Sequence, residues 1–129
     1  DAQNPVYYVQ YAHARICSIL RALEADGITP RDCTAEELAQ LTAPEEVDLI
    51  RHIAEYTDEI VAAAKDFDPV RITRYVIELA TKFHKFYNAC RVKGEAEGLM
   101  QARLTLCRAT AVVLRNVLTM FNITVPTSM

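Results

Sequence analysis

The run Asn4-Pro5-Val6-Tyr7-Tyr8-Val9-Gln10-Tyr11-Ala12-His13-Ala14-Arg15-Ile16-Cys17-Ser18-Ile19-Leu20-Arg21-Ala22-Leu23-Glu24-Ala25-Asp26-Gly27 decides the fold class. Val9, Ala12, Ile16, Ile19, Leu20 and Leu23 recur at helical steps, which gathers them on one stripe of an α-helix. Asn4 can cap the first backbone N–H groups, and Pro5 stands where its missing N–H costs nothing. Gly27 tolerates the positive φ that closes a helix. The pattern predicts a helix over about residues 6–26.

The same signals recur outward from this run. Thr34-Ala35-Glu36-Glu37 is a capping-box pattern before a short helix with Leu38 and Leu41 turned inward. Thr42-Ala43-Pro44-Glu45 repeats it and predicts one long helix to Lys65, with Val47, Ile50, Ile53, Ala54, Ile60, Val61 and Ala64 as its stripe. Asp68-Pro69 opens a fourth helix that buries Ile72, Val76, Leu79, Phe83, Phe86 and Cys90 and stops before Gly94. Beyond a polar loop from Lys93 to Gly98, a last helix is expected over about residues 99–121. Met100, Leu104, Cys107, Ala111, Leu114, Leu118 and Phe121 should face inward, with Asn122 capping its end. No segment alternates as a strand would, so an all-α helical bundle of about five helices is expected, with residues 1–129 as one domain.

With 129 residues the chain can close a single core, and 51% apolar with 24% charged residues excludes a disordered or fibrous class. No apolar run approaches the roughly 18 residues of a membrane span, so no membrane partner is expected. The chain starts at Asp1 rather than Met, which suggests a piece of something longer. Cys17, Cys33, Cys90 and Cys107 form no Cys-x-x-Cys pair and have no histidine at ligand spacing, so no metal site is expected. Cys17, Cys90 and Cys107 fall in apolar helical patterns and should pack as small hydrophobes, which fits a reducing, cytoplasmic compartment.

A net charge of −3 argues against indiscriminate coating of nucleic acid, yet the charges are unevenly spread. Residues 34–68 carry ten acidic and two basic side chains, whereas residues 69–93 carry Arg71, Arg74, Lys82, Lys85, Arg91 and Lys93 against Glu78 alone. Either one face repels polyanions while another meets them, or both are simply solvated helix faces.

Catalytic signatures are missing: there is no Gly-rich phosphate loop, no Gly-x-Ser-x-Gly elbow and no His-Glu-x-x-His. His13, His52 and His84 sit on three different predicted helices, where a lone histidine reads as a packed or surface residue. No catalytic residue is therefore assigned. The informative feature is a second face of the first helix. Tyr8, Tyr11, Arg15 and Ser18 share one narrow arc beside the apolar stripe, at about 100° per residue. Two phenol rings and a guanidinium in line are the side chains that hold splayed single-stranded bases; equally, the tyrosines could cover the edge of the core. Tyr87 and Arg91, with Asn88 alongside, repeat the theme on the fourth helix. There the other reading is core packing for Tyr87 and a helix-dipole partner for Arg91.

These residues carry a resemblance. Asn4 through Arg15 closely resembles the segment that opens the anticodon-binding domain of arginyl-tRNA synthetases. Phe83-His-Lys-Phe-Tyr-Asn-Ala-Cys-Arg-Val92 and Ala102-Arg-Leu-Thr-Leu-Cys107 are similar to its later segments, and Val125-Pro-Thr-Ser-Met129 is similar to its C-terminus. The resemblance implies a DALR-type helical domain that grips the anticodon loop of arginine tRNA. It implies anticodon contacts at Tyr8, Tyr11, Arg15, Tyr87, Arg91 and Met129; the charge distribution adds the expectation that the acidic third helix faces away from RNA. The family's catalytic motifs, His-x-Gly-His and a Lys-Met-Ser-Lys-like loop, are absent from these residues, so ATP, magnesium and arginine would belong to a separate catalytic domain, with the enzyme as a monomer. The letters that name the domain read Gln101-Ala102-Arg103-Leu104, and a helix start is expected there rather than an RNA contact. Two alternatives stay open: the anticodon domain of another class I synthetase, such as the cysteine enzyme, or a helical adaptor that docks a protein on the tyrosine face.

Overall fold

The structure, a computed structural model, describes residues 4–129 and among them contains helices and no strands. Six helical segments run α1 (Pro5–Ala25), α2 (Ala35–Leu38), α3 (Pro44–Ala54), α4 (Tyr56–Lys65), α5 (Pro69–Ala89) and α6 (Glu97–Met120). Several caps are those read from the sequence, but α3 starts from Ala43 rather than Thr42, and Asp68 makes no side-chain cap bond at the start of α5. Asn4 Oδ1 accepts from the Val6 N–H at 2.9 Å, and Thr34 and Glu37 close a reciprocal capping box. Gly27 adopts φ +80° and Asn122 φ +56°, and Ile28 and Ile123 donate back to the carbonyls of Leu23 and Leu118.

α5 is the central element and packs against α1, α3, α4 and α6. Its Leu79, Phe83 and Phe86 are fully buried with Ile16 of α1, Leu49 of α3 and Leu114 of α6. A smaller cluster of Leu23, Val92, Met100 and Leu104 seals the opposite end. Cys90 and Cys107 lie in this interior and Cys17 is half-buried; burial pushes the Cys107 thiol up to about 12.

The long third helix is two helices, because a tertiary bond interrupts it. The Tyr75 hydroxyl on α5 donates to the His52 carbonyl, and His52 Nε2 donates to the Tyr75 carbonyl at 2.9 Å. The His52 carbonyl thus has a partner outside its own helix, and the chain kinks at Glu55, whose N–H is shared between the Arg51 and His52 carbonyls. The inward stripe of these two helices departs in part from the expected one: Ile53 and Ile60 pack against the core as expected, and Val47 is half-buried. Leu49 and Ala63 are buried, whereas Ile50 and Val61 are exposed and Ala54 and Ala64 face outward. The reason is Glu46, a charged residue at a core position that breaks the apolar pattern. Only 1% exposed, it accepts from Arg103 Nε at 2.7 Å and from the Ala43 N–H at 2.9 Å.

Three further expectations are corrected. Leu38 and Phe121 are exposed rather than inward, since α2 has only four residues and Phe121 already lies past the end of α6. α5 ends at Ala89, so Arg91 is not on that helix; Cys90 turns extended, and Arg103 donates to the Arg91 carbonyl, holding the chain outside the helix. Gln101 does not start a helix but sits buried in α6, where its Oε1 accepts from the Arg31 N–H and its Nε2 donates to the Thr29 carbonyl.

Candidate nucleic-acid interface

α1 and α5 lie side by side and bring Tyr7, Tyr8, Tyr11 and Arg15 against His84 and Asn88, lining an open hollow of about 440 Å³. The helical spacing accounts for both rims. Tyr8, Tyr11 and Arg15 fall within about one quarter-turn on α1, and His84 and Asn88 are one turn apart on α5.

Arg15 is the centre of the arrangement. Its Nη1 donates to His84 Nδ1 at 2.7 Å, its Nη2 donates to Asn88 Oδ1 at 3.4 Å, and its guanidinium carbon lies 5.1 Å from the centre of the Tyr87 ring. A nitrogen that accepts from a guanidinium carries no proton, so His84 is neutral with its proton on Nε2. Burial, followed by the charge of Arg15, lowers the His84 pKa from 6.5, in agreement with a neutral ring.

The tyrosines divide between the two readings left open by the sequence. Tyr8 packs against the main core, and its hydroxyl lies 3.0 Å from Thr81 Oγ1, so it covers the core edge as well as lining the hollow. Tyr11 is 41% exposed and stacks on Tyr7 with ring centres 6.4 Å apart and planes 9° from parallel. Both Tyr8 and Tyr11 approach the His84 ring, at 5.6 Å and 6.0 Å. Tyr87 packs against both hydrophobic clusters and lies nearly parallel to Phe83, with Arg15 over its ring. The hollow is therefore an aromatic shelf with one cation held at its centre.

Two expected members stand apart. Arg91 is exposed and its guanidinium pairs with Glu95 at 3.5 Å, not with the shelf. Met129 is exposed, at the end of a segment that side chains of α1 hold by its carbonyls. Conversely, His84 and Tyr7 join the site although the sequence reading singles out neither. The spacing of His84, three residues before Tyr87 and four before Asn88, is the signal that could find it.

The uneven charge does not form two separate faces. Lys82 of the basic segment pairs with Asp48 at 2.8 Å and Arg71 with Glu59 at 2.7 Å, so α5 meets the acidic helices through ion pairs. Lys93 reaches Asp26 at 2.6 Å. Arg15 is different: its partners are a neutral imidazole, an amide and a ring, and its charge stays uncompensated by any carboxylate among the described residues. No group of three His, Cys, Asp or Glu side chains able to hold a metal occurs among the described residues. No described helix is long and apolar enough to cross a membrane.

Residues 9–129 match the family model of the DALR anticodon binding domain. The chain belongs to that family. It is 51% identical over 127 residues to the arginine–tRNA ligase of Acetivibrio thermocellus, a match spanning 98% of this chain and 22% of that protein. The arginine–tRNA ligase of Ruminiclostridium cellulolyticum is 52% identical over 127 residues, with the same coverage of 98% and 22%. In three dimensions the DALR domain superposes on the Thermus thermophilus arginyl-tRNA synthetase with a TM-score of 0.84 and 28% identity, covering 100% of this chain and 22% of that one. The chain thus spans less than a quarter of the length of these relatives.

Proposed function

We propose that this DALR domain binds the anticodon loop of arginine tRNA on the shelf between α1 and α5, as part of an arginine–tRNA ligase. The observation that carries this is Arg15, held by His84, Asn88 and Tyr87 and without a carboxylate partner among the described residues, beside half-buried Tyr7 stacked on exposed Tyr11. An unstacked base needs a planar surface and a phosphate needs a fork of donors, and the shelf offers both within one hollow. Tyr11 and the outer face of Arg15 supply the stacking surfaces, and the free donors of Arg15 meet phosphate or base edge. Tyr87, already covered by Arg15, acts by seating that guanidinium over its ring, and Asn88 and His84 fix its direction. Tyr8 forms the floor. Arg91 reaches the RNA backbone from outside the shelf, and Met129 adds a soft apolar contact at its edge.

The remainder of the parent polypeptide would handle ATP, magnesium and arginine, and the enzyme would work in the cytoplasm as a monomer. The test is fluorescence anisotropy with a labelled arginine-tRNA anticodon hairpin, and with the same hairpin altered at its middle base, at two salt concentrations. Binding that weakens steeply with salt and drops with the altered base is expected. Equal binding to both hairpins would reduce the shelf to a non-specific cation, and salt-independent binding of a protein partner would favour the adaptor instead.

A further inference from the structure

Residues 123–129 do not trail away from α6 but are held by side chains of α1. Gln10 Nε2 donates to the Thr124 carbonyl at 3.0 Å and lies 3.1 Å from the Thr124 hydroxyl. His13 Nδ1 lies 3.1 Å from the Pro126 carbonyl, which can only accept, so Nδ1 carries the proton. The His13 Nε2 is buried without a partner, which fits a neutral ring. Arg21 Nη2 donates both to the Thr127 carbonyl at 2.9 Å and to the Ser18 hydroxyl at 3.0 Å.

The order of the anchors gives the path. Positions 10, 13 and 21 of α1 take residues 124, 126 and 127, so the segment follows the helix in its own direction. Gln10 and His13 lie on the flank of α1 beyond Tyr7, about 60° and about 120° from it around the axis. Ser18, two turns after Tyr11, lies within about 20° of it around the axis. The shared Arg21 nitrogen therefore brings Thr127 round to the Ser18 end of the Tyr11–Arg15 arc. Met129 follows two residues later, within about 7 Å of extended chain.

We propose that Arg21, backed by Gln10 and His13, is a positioning residue for RNA binding: it carries residues 123–129 round α1 and fixes Met129 at the Ser18 end of the shelf. The inference rests on the reading that the arc binds RNA, and extends it to a device that joins two distant parts of the chain into one surface. Without the anchor, the segment would have to be ordered at the moment of binding, and affinity would fall.

The test uses the 129-residue chain, the labelled anticodon hairpin, and the variants Arg21→Ala, Met129→Ala, their double, and Arg15→Ala. Arg21→Ala and Met129→Ala should each weaken binding by about threefold to tenfold, the scale of one sulfur–aromatic contact. The double variant should bind no more weakly than either single one, because both remove the same interaction. The carbon-13 methyl signal of Met129 should move to its unfolded position in Arg21→Ala while the melting temperature stays unchanged. Additive effects would mean that Arg21 touches RNA itself, and an unmoved Met129 signal would mean that it positions nothing; either result overturns the proposal. Loss of binding in Arg15→Ala but not in Arg21→Ala rejects the positioning role alone, whereas intact binding in Arg15→Ala removes the functional reading beneath it.

Discussion

Arg15 holds its guanidinium carbon 5.1 Å from the centre of the Tyr87 ring while donating to His84 at 2.7 Å and to Asn88 at 3.4 Å, so one side chain on α1 is fixed by three residues of α5. A free arginine on a helix surface samples many rotamers, and ordering it on binding costs affinity. Here that cost is met on folding. Arg15→Ala should therefore weaken anticodon-hairpin binding by about 1–3 kcal/mol, the range of one stacked base or one charged hydrogen bond. Its melting curve should hardly change, since the core stays intact. Arg15→Lys should behave more like the alanine variant than like wild type, because an ammonium cannot lie flat on Tyr87 while bonding both His84 and Asn88. Anisotropy titrations and circular-dichroism melts on the same samples check both statements.

Tyr87 should behave differently. Packed against both hydrophobic clusters, it contributes to the core as well as to Arg15. Tyr87→Ala is expected to lose stability and binding together, whereas Tyr87→Phe should keep both, since the ring and not the hydroxyl faces Arg15. Equal stability of Tyr87→Ala and wild type in urea would contradict this placement.

Buried His13 and half-buried His84 make stability depend on pH. Burial comes first among the causes that lower His13 and His84 from 6.5. The unfolded chain then binds protons more readily than the folded one, so stability is fully present above 6.5 and is lost as pH falls below that value towards the lowered folded pKa. The melting temperature should fall between about pH 7.5 and about pH 5.5, the window in which imidazoles titrate. His84→Asn should flatten part of that slope. An unchanged slope would place the sensitivity elsewhere.

Glu46 and Arg103 form the most buried ion pair, 1% and 12% exposed at the side chain and 2.7 Å apart. Arg103→Ala leaves a carboxylate in the core, and it should destabilise the domain by about 3–5 kcal/mol in urea titrations. The double variant Glu46→Leu/Arg103→Met should recover most of that loss, since it removes the stranded charge and refills the space. A double variant as unstable as the single one would mean that the carboxylate is not what the arginine compensates.

Phe67 is 92% exposed and adopts φ +52°, a left-handed conformation that a bulky side chain disfavours by about 1–2 kcal/mol. Phe67→Gly should raise stability by about 1 kcal/mol despite the greater entropy of the unfolded chain. Differential scanning calorimetry reads this directly, and a lower melting temperature would indicate that the ring's packing outweighs the backbone strain.

Much of the fold is legible because helix signals are local. Asn4, Thr34, Gly27 and Asn122 each act on backbone groups a few residues away, and the periodic stripe of α6 is carried by its own spacing. The stripe of α3 and α4 departs from its expected register where a core position holds Glu46, whose partner Arg103 lies far along the chain. Similarly, the kink at Glu55 depends on Tyr75 of α5 and is invisible in residues 44–65. In the candidate site, the arc of Tyr8, Tyr11 and Arg15 follows from about 100° per residue, but nothing in that spacing says which side chain meets it from α5.

What the sequence alone determined is therefore the helical class of the fold and the inward stripes of α1, α5 and α6, since both depend on neighbours within one or two turns. The tertiary structure decided which of those side chains share a place. It brought His84 to Arg15, kept Arg91 off the helix that carries Tyr87, and bound residues 124–127 to α1. These depend on the approach of segments far apart in the chain, where packing and hydrogen-bond geometry, not local spacing, select the partners.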